Sequence, residues 1–344
     1  MSKIFMDGVD VSKPDSDVEQ TRIEAPRSAK KQIDVAELMQ RFGSVFILIT
    51  ILVIAVSMSN VFLTERNIMN VLQQISESSL MSIGMLFVIL TGGIDLSVGS
   101  VAALGSVLSA LILENYAPGV AVGLSLVAGG ACGLFSGLLV AYVRLPPFVT
   151  TLAMMSIARG LALMASEGQP ILMGGNGAVI VNFGTGALFG IPYPVLLMFV
   201  AFVVAGAVFG FTRFGRMVKA VGSNAEAVRL SGVPVSRYII AVYAISGVLA
   251  AAAGVISTSR TGIGSATVGV GSELTAIAAV VIGGASLMGG RGGAANTFIG
   301  VFVLGVINDL MNLANVPGYR QQVFMGAIII GAMLLQYGSR FFRR

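Results

Sequence analysis

Long apolar stretches alternate with short polar or glycine-rich segments along the chain from residue 42 onward. Several of these stretches carry no charge at all, as at residues 168–212 and 238–259. A helix needs about 20 mostly apolar residues to cross the hydrocarbon core of a bilayer. The pattern therefore predicts an all-α polytopic membrane protein with about ten transmembrane helices. The predicted spans are residues 42–63, 77–93, 97–113, 119–142, 147–165, 192–212, 238–257, 273–288, 296–313 and 320–338.

Basic residues are distributed unevenly among the segments that connect these spans. If the N-terminus lies in the cytoplasm, 17 of the 21 lysine and arginine residues fall in cytoplasmic segments. Cytoplasmic segments carry the excess of basic residues in membrane proteins, so an N-in, C-in topology is predicted. Residues 1–41 hold 7 basic and 8 acidic residues, and we expect them to form a disordered or loosely helical cytoplasmic tail. The transmembrane domain then covers residues 42–340.

Several kinds of chemistry lack their residues in this chain. Without histidine there is neither a histidine-ligated zinc site nor a histidine base, and the single Cys132 is expected to pack inside a span. No Gly-x-x-x-x-Gly-Lys-Ser/Thr phosphate loop is present. We therefore expect no enzymatic activity and no bound cofactor. The net charge of +5 is explained by topology and does not predict nucleic-acid binding.

One polar segment, residues 213–237, interrupts the apolar part of the chain on its predicted cytoplasmic side. It carries five basic residues and a single acid, Glu226. Its residues favour helix around 225–230, and Ser231-Gly232 predicts the end of that helix. A short cytoplasmic helix without chemistry of its own is a surface on which an energy-supplying partner can act.

A second informative segment is Leu90–Gly99, with the sequence LTGGIDLSVG. The glycines Gly92 and Gly93 allow the backbone to leave helical geometry beside two apolar spans. Asp95 or Ser97 can then cap the next helix by accepting a free N–H. Alternatively, the broken segment lines a water-filled path, because irregular backbone at membrane depth is tolerated only inside protein or beside a cavity. The sequence leaves both interpretations open.

Arg159 lies near the middle of a predicted span. A charge at this depth is costly unless it faces a cavity or a partner, so Arg159 is a candidate for the translocation path. Its possible partners are Glu77, Asp95 and Glu273. The alternative is that the span is shifted and that Arg159 reaches an interface.

Polar residues also cluster toward the outer end of the ninth predicted span. Asn308 and Asn312 lie on one helix face, and Asp309 is next to them. They either face a polar solute path or are solvated at an outer mouth. The glycine-rich residues 262–271 are expected to form an ordinary outer loop.

Four segments resemble the ribose-type branch of the binding-protein-dependent ABC importer permeases. They are, in the order of that family, Leu90–Gly99 (LTGGIDLSVG), Leu145–Leu152 (LPPFVTTL), Gly222–Gly232 (GSNAEAVRLSG) and Ile277–Gly293 (IAAVVIGGASLMGGRGG). The resemblance extends over residues 42–338. It implies the ABC importer permease fold, a bacterial inner-membrane location surrounded by membrane lipid, and a homodimer of the permease. It also implies a separate ATPase with duplicated nucleotide domains, which uses ATP and Mg²⁺, and a periplasmic sugar-binding protein.

The resemblance further implies that residues 213–237 contain the coupling loop. In the wider importer class this loop carries Glu-Ala-Ala-x-x-x-Gly, and Glu226, Ala227 and Gly232 keep that spacing. Val228 replaces the second alanine, and the later Leu-Pro of the general pattern is absent. The residues expected to couple the chain to the ATPase are Gly222, Asn224, Glu226, Ala227, Arg229 and Gly232.

The favoured function is therefore permease of an ABC importer for a monosaccharide or related polyol. The main alternative is a self-sufficient secondary transporter or facilitator of a small polar solute, which would transport without an ATPase. A membrane enzyme or scaffold is a third interpretation, disfavoured by the missing catalytic clusters. The polar segment 213–237 favours the first function, since neither rival requires a cytoplasmic docking helix.

Overall fold

The computed structural model describes residues 35–174 and 177–341. Most of the predicted tail, residues 1–34, lies outside the described residues, while residues 35–41 belong to the first helix. The described residues form twelve α-helices, which are α1 (Val35–Met58), α2 (Glu65–Leu90), α3 (Val98–Leu113), α4 (Pro118–Leu138), α5 (Pro147–Ala165), α6 (Ala178–Thr185), α7 (Tyr193–Phe211), α8 (Arg213–Leu230), α9 (Val235–Thr261), α10 (Ser272–Ile282), α11 (Ala294–Leu313) and α12 (Gly318–Phe341).

Four two-residue strands complete the secondary structure of the described chain. β1 (Ile171–Leu172) pairs with β4 (Ile263–Gly264), and β2 (Ala187–Leu188) pairs with β3 (Ile191–Pro192), both antiparallel. A π-helical turn at Leu139–Val143 continues α4. The described residues are therefore all-α apart from these short strands, as predicted.

Ten of the helices overlap the ten predicted spans, and α6 and α8 are additional. Among the described residues, six helical stretches are long and apolar enough to cross a membrane: α2, α4 with its continuation, α5, α7, α9 and α11. Shorter apolar helices cover residues 44–58, 98–113 and 272–282. The multi-pass membrane character of the chain is thus confirmed.

The centre of the molecule is formed by α2, α3 and α9. In the most apolar part of α2, 72% of the residues are buried, against 28% in α4 and in α5. All three helices are apolar. The difference in burial therefore separates α2, which packs inside the protein, from α4 and α5, whose surfaces suit lipid. The largest core cluster accordingly centres on Leu80–Leu90 and on α9 residues such as Tyr243.

α4 and α9 approach each other along a row of glycines. A Cβ added at Gly129 or Gly133 would overlap the backbone of Gly247 or Tyr243 on α9. A Cβ at Gly137 would lie 2.9 Å from the Cα of Ile240. Small residues permit such close contact between helices in membranes, where van der Waals packing drives helix association. The Gly133–Gly137 pair thus serves helix packing.

Residues 262–271 do not form an ordinary outer loop, and this expectation was wrong. The segment runs back along α3, with Gly264 beside Ser106 and Gly269 beside Gly99. The amide of Ser265 donates a hydrogen bond to the Ser106 hydroxyl at 3.1 Å. The glycines follow this path because their backbone atoms pack directly against α3.

The predicted span 273–288 is not one continuous helix. α10 ends at Ile282, and the chain turns at Gly283 and Gly284. Its 11 residues extend about 16 Å, roughly half the thickness of the hydrocarbon core. The apolar composition of residues 285–288 suggested a longer helix, but the positive φ of Gly284 ends it. Residues 262–271 and α10 together form one broken element.

Candidate coupling segment and translocation cavity

The polar segment 213–237 folds as two helical pieces. The first continues from Arg213 and was not predicted as helix, whereas the second covers residues 225–230 as predicted. They meet at Asn224, whose φ of −160° and ψ of 91° are extended rather than helical. The side-chain oxygen of Asn224 accepts a hydrogen bond from the Ala227 amide at 2.9 Å. Asn224 is therefore the N-cap of the short helix 225–230.

The short helix also has a defined C-terminal end. The amide of Gly232 donates to the Arg229 carbonyl at 3.0 Å, and the amide of Val233 donates to the Val228 carbonyl at 3.3 Å. Gly232 has a φ of +79°. These bonds form a Schellman motif, in which glycine adopts the left-handed conformation after the last helical turn. Asn224 and Gly232 thus fix the two ends of the helix, of which the sequence predicted the end at Gly232.

The surface of the short helix is exposed to solvent. Glu226 and Arg229 form an ion pair at 2.7 Å with about 60% of each side chain exposed. Ala227 is exposed, and Leu230 is 79% exposed. Such a rigid exposed helix, with an apolar residue beside an ion pair, offers a ready contact surface. The six predicted coupling residues therefore lie within residues 222–232, on the short helix or next to its ends.

A small cavity of about 40 Å³ lies among α2, α10 and α11. Its polar wall consists of amide and hydroxyl side chains from all three helices, and none of its lining residues is charged. An uncharged wall of this kind suits a neutral polar solute. The lining residues are Gln74, Ile75, Ser78, Ser82, Thr275, Ala279, Val301, Leu304, Gly305 and Asn308.

Sequence reasoning missed most of this wall. The first half of α2, residues 65–76, falls between the predicted spans 42–63 and 77–93. Gln74, Ser78 and Ser82 recur every four residues, which places them on one helix face. This periodicity was the available signal, but the partner residues Thr275 and Asn308 come from distant parts of the chain.

Asp95 is buried in the irregular segment 91–97. One carboxylate oxygen accepts hydrogen bonds from the Ser97 amide at 3.0 Å and the Ser97 hydroxyl at 2.6 Å. The other accepts a hydrogen bond from the Ser246 hydroxyl on α9 at 2.7 Å. These bonds satisfy the buried carboxylate and fix the start of α3. The Ser97 side chain itself makes no capping bond to α3.

Gly92 and Gly93 lie at the break in the chain, as predicted. α2 ends at Leu90, and Gly92 follows with a φ of +83°. A Cβ at Gly93 would lie 2.5 Å from the Tyr243 hydroxyl oxygen. That hydroxyl donates a hydrogen bond to the Ile94 carbonyl at 3.4 Å. The break is therefore packed against α9.

Arg159 on α5 binds backbone rather than an acidic side chain. Its Nη1 donates hydrogen bonds to the carbonyl oxygens of Ala266 and Val268, the latter at 2.8 Å. These carbonyls belong to residues 262–271, which form turns after the short strand β4 rather than helix. Among the described residues, Arg159 forms no ion pair with Glu77, Asp95 or Glu273. Its charge is thus used to hold an irregular backbone.

Glu77, which was a possible partner of Arg159, has a different partner. Its carboxylate pairs with Arg260 at 2.6 Å, and 22% and 25% of these two side chains are exposed. The pair joins the middle of α2 to the last turn of α9. On α2, Glu77 is followed by Ser78 and preceded three residues earlier by Gln74, and both of these residues line the cavity.

The polar residues of α11 divide into three environments. Asn308 lines the cavity. Asp309 is buried and accepts a hydrogen bond from the Asn67 side-chain amide at 2.8 Å. Asn312 is exposed and accepts one from Gln321 at 2.9 Å. The structure therefore separates these three neighbours. Within the described residues, no group of three or more histidine, cysteine or acidic residues is arranged to hold a metal ion.

Comparison with known proteins identifies the relatives of the chain. The family described as Branched-chain amino acid transport system / permease component matches residues 67–333. The ribose import permease protein RbsC of Bacillus subtilis (strain 168) is 42% identical over 316 residues, 91% of this chain and 98% of the relative. RbsC of Escherichia coli (strain K12) is 39% identical over 311 residues, 90% and 97% of the two chains.

A relative with a different named sugar is similar over the same length. The D-allose transport system permease protein AlsC of Escherichia coli (strain K12) is 37% identical over 318 residues, which cover 92% of this chain and 97% of the relative. No solved structure matches the chain with significant similarity.

Proposed function

The chain belongs to the family described as Branched-chain amino acid transport system / permease component, and on this premise we propose that it is the permease of an ATP-driven sugar importer. The observation that carries this proposal is similarity over at least 90% of the chain to permeases named for ribose and allose. The solute is a monosaccharide or related polyol. The chain itself performs no catalysis.

The cavity chemistry supports a sugar over a branched-chain amino acid. An amino acid carries a carboxylate and an ammonium group, and both need charged or strongly polarised partners when they leave water. The cavity wall offers amides and hydroxyls without a charge of either sign. These groups donate to and accept from sugar hydroxyls. The cavity is therefore the proposed translocation path, with Asn308 on its wall.

The other residues predicted for the path do not line the cavity and have structural roles around it. Asp95 with Ser97, together with Gly92 and Gly93, shapes the connection from α2 to α3. Arg159 holds the segment that leads into α10, and Asp309 ties α11 to the first turn of α2. Asn312 lies at the exposed end of α11.

The proposed topology has ten membrane crossings with both termini in the cytoplasm of a bacterial inner-membrane protein. The broken element formed by residues 262–271 and α10 makes one crossing, and α3 makes another. This arrangement places the short helix 225–230 in the cytoplasm with the excess of basic residues. We name residues 225–230 the coupling helix.

The proposed partners are a separate ATPase with duplicated nucleotide domains, a periplasmic sugar-binding protein and a second copy of the permease. ATP and Mg²⁺ bind to the ATPase. The coupling helix docks into a cleft of the ATPase, and closure of the nucleotide domains tilts the helices on either side of it. A free-energy difference of a few kcal/mol between inward and outward forms is sufficient for switching.

The test is purification of the tagged chain from its native membrane, followed by reconstitution with the proteins that co-purify. Glu226→Lys reverses the charge at the centre of the coupling helix and should remove the ATPase from the purified complex. Glu114→Lys, the same change at an exposed site at the other end of the molecule, should retain it. Import of D-ribose, L-arabinose and D-allose is compared with import of L-leucine.

The outcomes separate the candidate functions. ATP-dependent uptake of at least one sugar, absent for L-leucine, supports the proposal. Uptake by the purified chain alone, driven by a solute or ion gradient, would establish a secondary transporter instead. ATP-dependent uptake of L-leucine without sugar uptake would reject the sugar assignment.

A further inference from the structure

The three helices that line the cavity come together at one end. α2 ends at Leu90, and the loop 283–293 joins the end of α10 to the start of α11. Within this loop, the amide of Gly290 donates a hydrogen bond to the Leu90 carbonyl at 3.0 Å. A backbone contact therefore connects the end of α2 to the loop between α10 and α11.

The entrance to the coupling helix packs into the same contact. A Cβ added at Gly222 would overlap the Leu90 carbonyl oxygen and lie 2.7 Å from the Gly290 nitrogen. A Cβ at Gly290 would in turn lie 3.0 Å from the Ser223 Cα. A Cβ at Gly289 would lie 2.7 Å from the Gly222 carbonyl oxygen. The backbones of α8 and of the loop are thus in direct contact.

Gly92 belongs to this contact as well, because a Cβ at Gly289 would lie 2.9 Å from the Gly92 nitrogen. We name the contact the glycine junction; it consists of Leu90, Gly92, Gly222, Ser223, Gly289 and Gly290. Asn224, where α8 bends into the coupling helix, follows Ser223 directly. The junction therefore lies between the coupling helix and the cavity helices.

Direct backbone contact has a mechanical consequence. Long side chains between two elements can change rotamer and absorb a small displacement, but the glycines of the junction have no side chains to do so. Coupling between distant sites is carried by contiguous packed elements. A displacement of the coupling helix should therefore move the end of α2 and the loop that joins α10 to α11.

We propose that the glycine junction transmits movement of the coupling helix to the three cavity helices, and that Gly222 and Gly290 are positioning residues for transport. This inference rests on the proposed function, in which an ATPase moves the coupling helix. It adds the route by which that movement reaches the solute path. The junction moves as one body, because its backbones are too closely packed to slide past each other.

Two matched pairs of variants test the junction in the complex of permease, ATPase and binding protein. Gly222→Ala inserts a methyl group into the junction, and Gly293→Ala inserts one where nothing lies within 4 Å. Gly290→Ala is the milder insertion, with φ of +74° and Ser223 in contact. Gly284→Ala is its control, with φ of +81° and nothing within 4 Å. Because both glycines of the second pair have a positive φ, Gly290→Ala and its control Gly284→Ala carry similar backbone strain.

Two readouts are measured on complexes of equal membrane abundance. The first is D-ribose imported per ATP hydrolysed. The second is labelling of Gln74→Cys, at the exposed edge of the cavity, by a water-soluble maleimide in a Cys132→Ser chain with and without ATP and vanadate. The second readout requires no transported solute. It therefore reports on the junction even if D-ribose is not the substrate.

The junction variants are expected to lower import per ATP about tenfold, a typical magnitude of coupling between sites. They should also abolish the nucleotide-dependent change in labelling, while both controls retain it. If Gly222→Ala lowers the membrane abundance of the permease, the comparison of Gly290→Ala with Gly284→Ala tests the inference instead. Equal responses in variants and controls would overturn the inference. A wild-type complex that labels in response to nucleotide but imports no sugar would instead count against the proposed function.

Discussion

The Ser246 hydroxyl on α9 donates a hydrogen bond to the Asp95 carboxylate at 2.7 Å, and the same carboxylate accepts both the amide and the hydroxyl of Ser97. The bonds join the start of α3 to the middle of α9. Ser106 on α3 and Thr258 on α9 form a second link at 2.7 Å farther along the same helices. Two parallel helices at the centre of the molecule are therefore fixed by buried polar pairs.

Asp95→Asn is expected to preserve both folding and transport. Its amide oxygen accepts from Ser97, and its amide nitrogen donates to Ser246, so each bond keeps a partner. Asp95→Ala leaves the two serines unpaired and should lower the free energy of unfolding by about 1–3 kcal/mol. Unfolding in detergent and import of D-ribose measure the two effects. Loss of import by Asp95→Asn at normal abundance would show that the negative charge itself acts in the path.

Arg159→Met is expected to destabilise the protein by about 2 kcal/mol, because it removes a charged donor from the carbonyls of Ala266 and Val268. Arg159→Lys keeps a positive donor and should be affected less. Ser156→Ala, one turn earlier on α5 and exposed, is the control. Thermal unfolding in detergent ranks the three variants. Equal stability of Arg159→Met and the control would show that residues 262–271 keep their conformation without Arg159.

A double-mutant cycle on Glu77 and Arg260 should give a coupling of about 1 kcal/mol, near the upper end for partly exposed pairs. The pair Glu226 and Arg229 is more exposed and should give about 0.3 kcal/mol. Substitution of each residue by glutamine or methionine, with unfolding followed in detergent, supplies both cycles. Raising the salt concentration should weaken the second coupling more than the first. The reverse order would mean that the first pair is open to solvent.

Asn224→Ala removes the N-cap of the coupling helix and should cost about 1 kcal/mol of local helix stability. Because the helix is exposed, global unfolding should change little. The affinity of the permease for its ATPase should fall about fivefold, since the docking helix must be ordered on binding. Asn224→Ser keeps a capping oxygen and is the control. Equal affinities for the two variants would indicate that the cap has no role in docking.

The helix ends near the candidate site depend on local signals. Asn224 and Gly232 bound the coupling helix through bonds to residues a few positions away, and Gly92 ends α2 by its own backbone conformation. The cavity depends on tertiary packing instead. Ser78 and Thr275 are almost 200 residues apart in sequence, and no local pattern shows that their helices meet. Likewise, the return of residues 262–271 along α3 follows from packing against that helix.

Thr275→Val tests the cavity wall most directly, because it removes a hydroxyl at nearly constant volume. If the hydroxyl contacts the solute during transport, its loss should lower import of D-ribose about tenfold, the equivalent of one hydrogen bond of about 1.4 kcal/mol. Thr50→Val makes the same change on the exposed surface of α1 and should import normally. ATP hydrolysis should be retained in both variants, since the coupling helix is unchanged. Normal import by Thr275→Val would place the solute path away from the cavity between α2, α10 and α11.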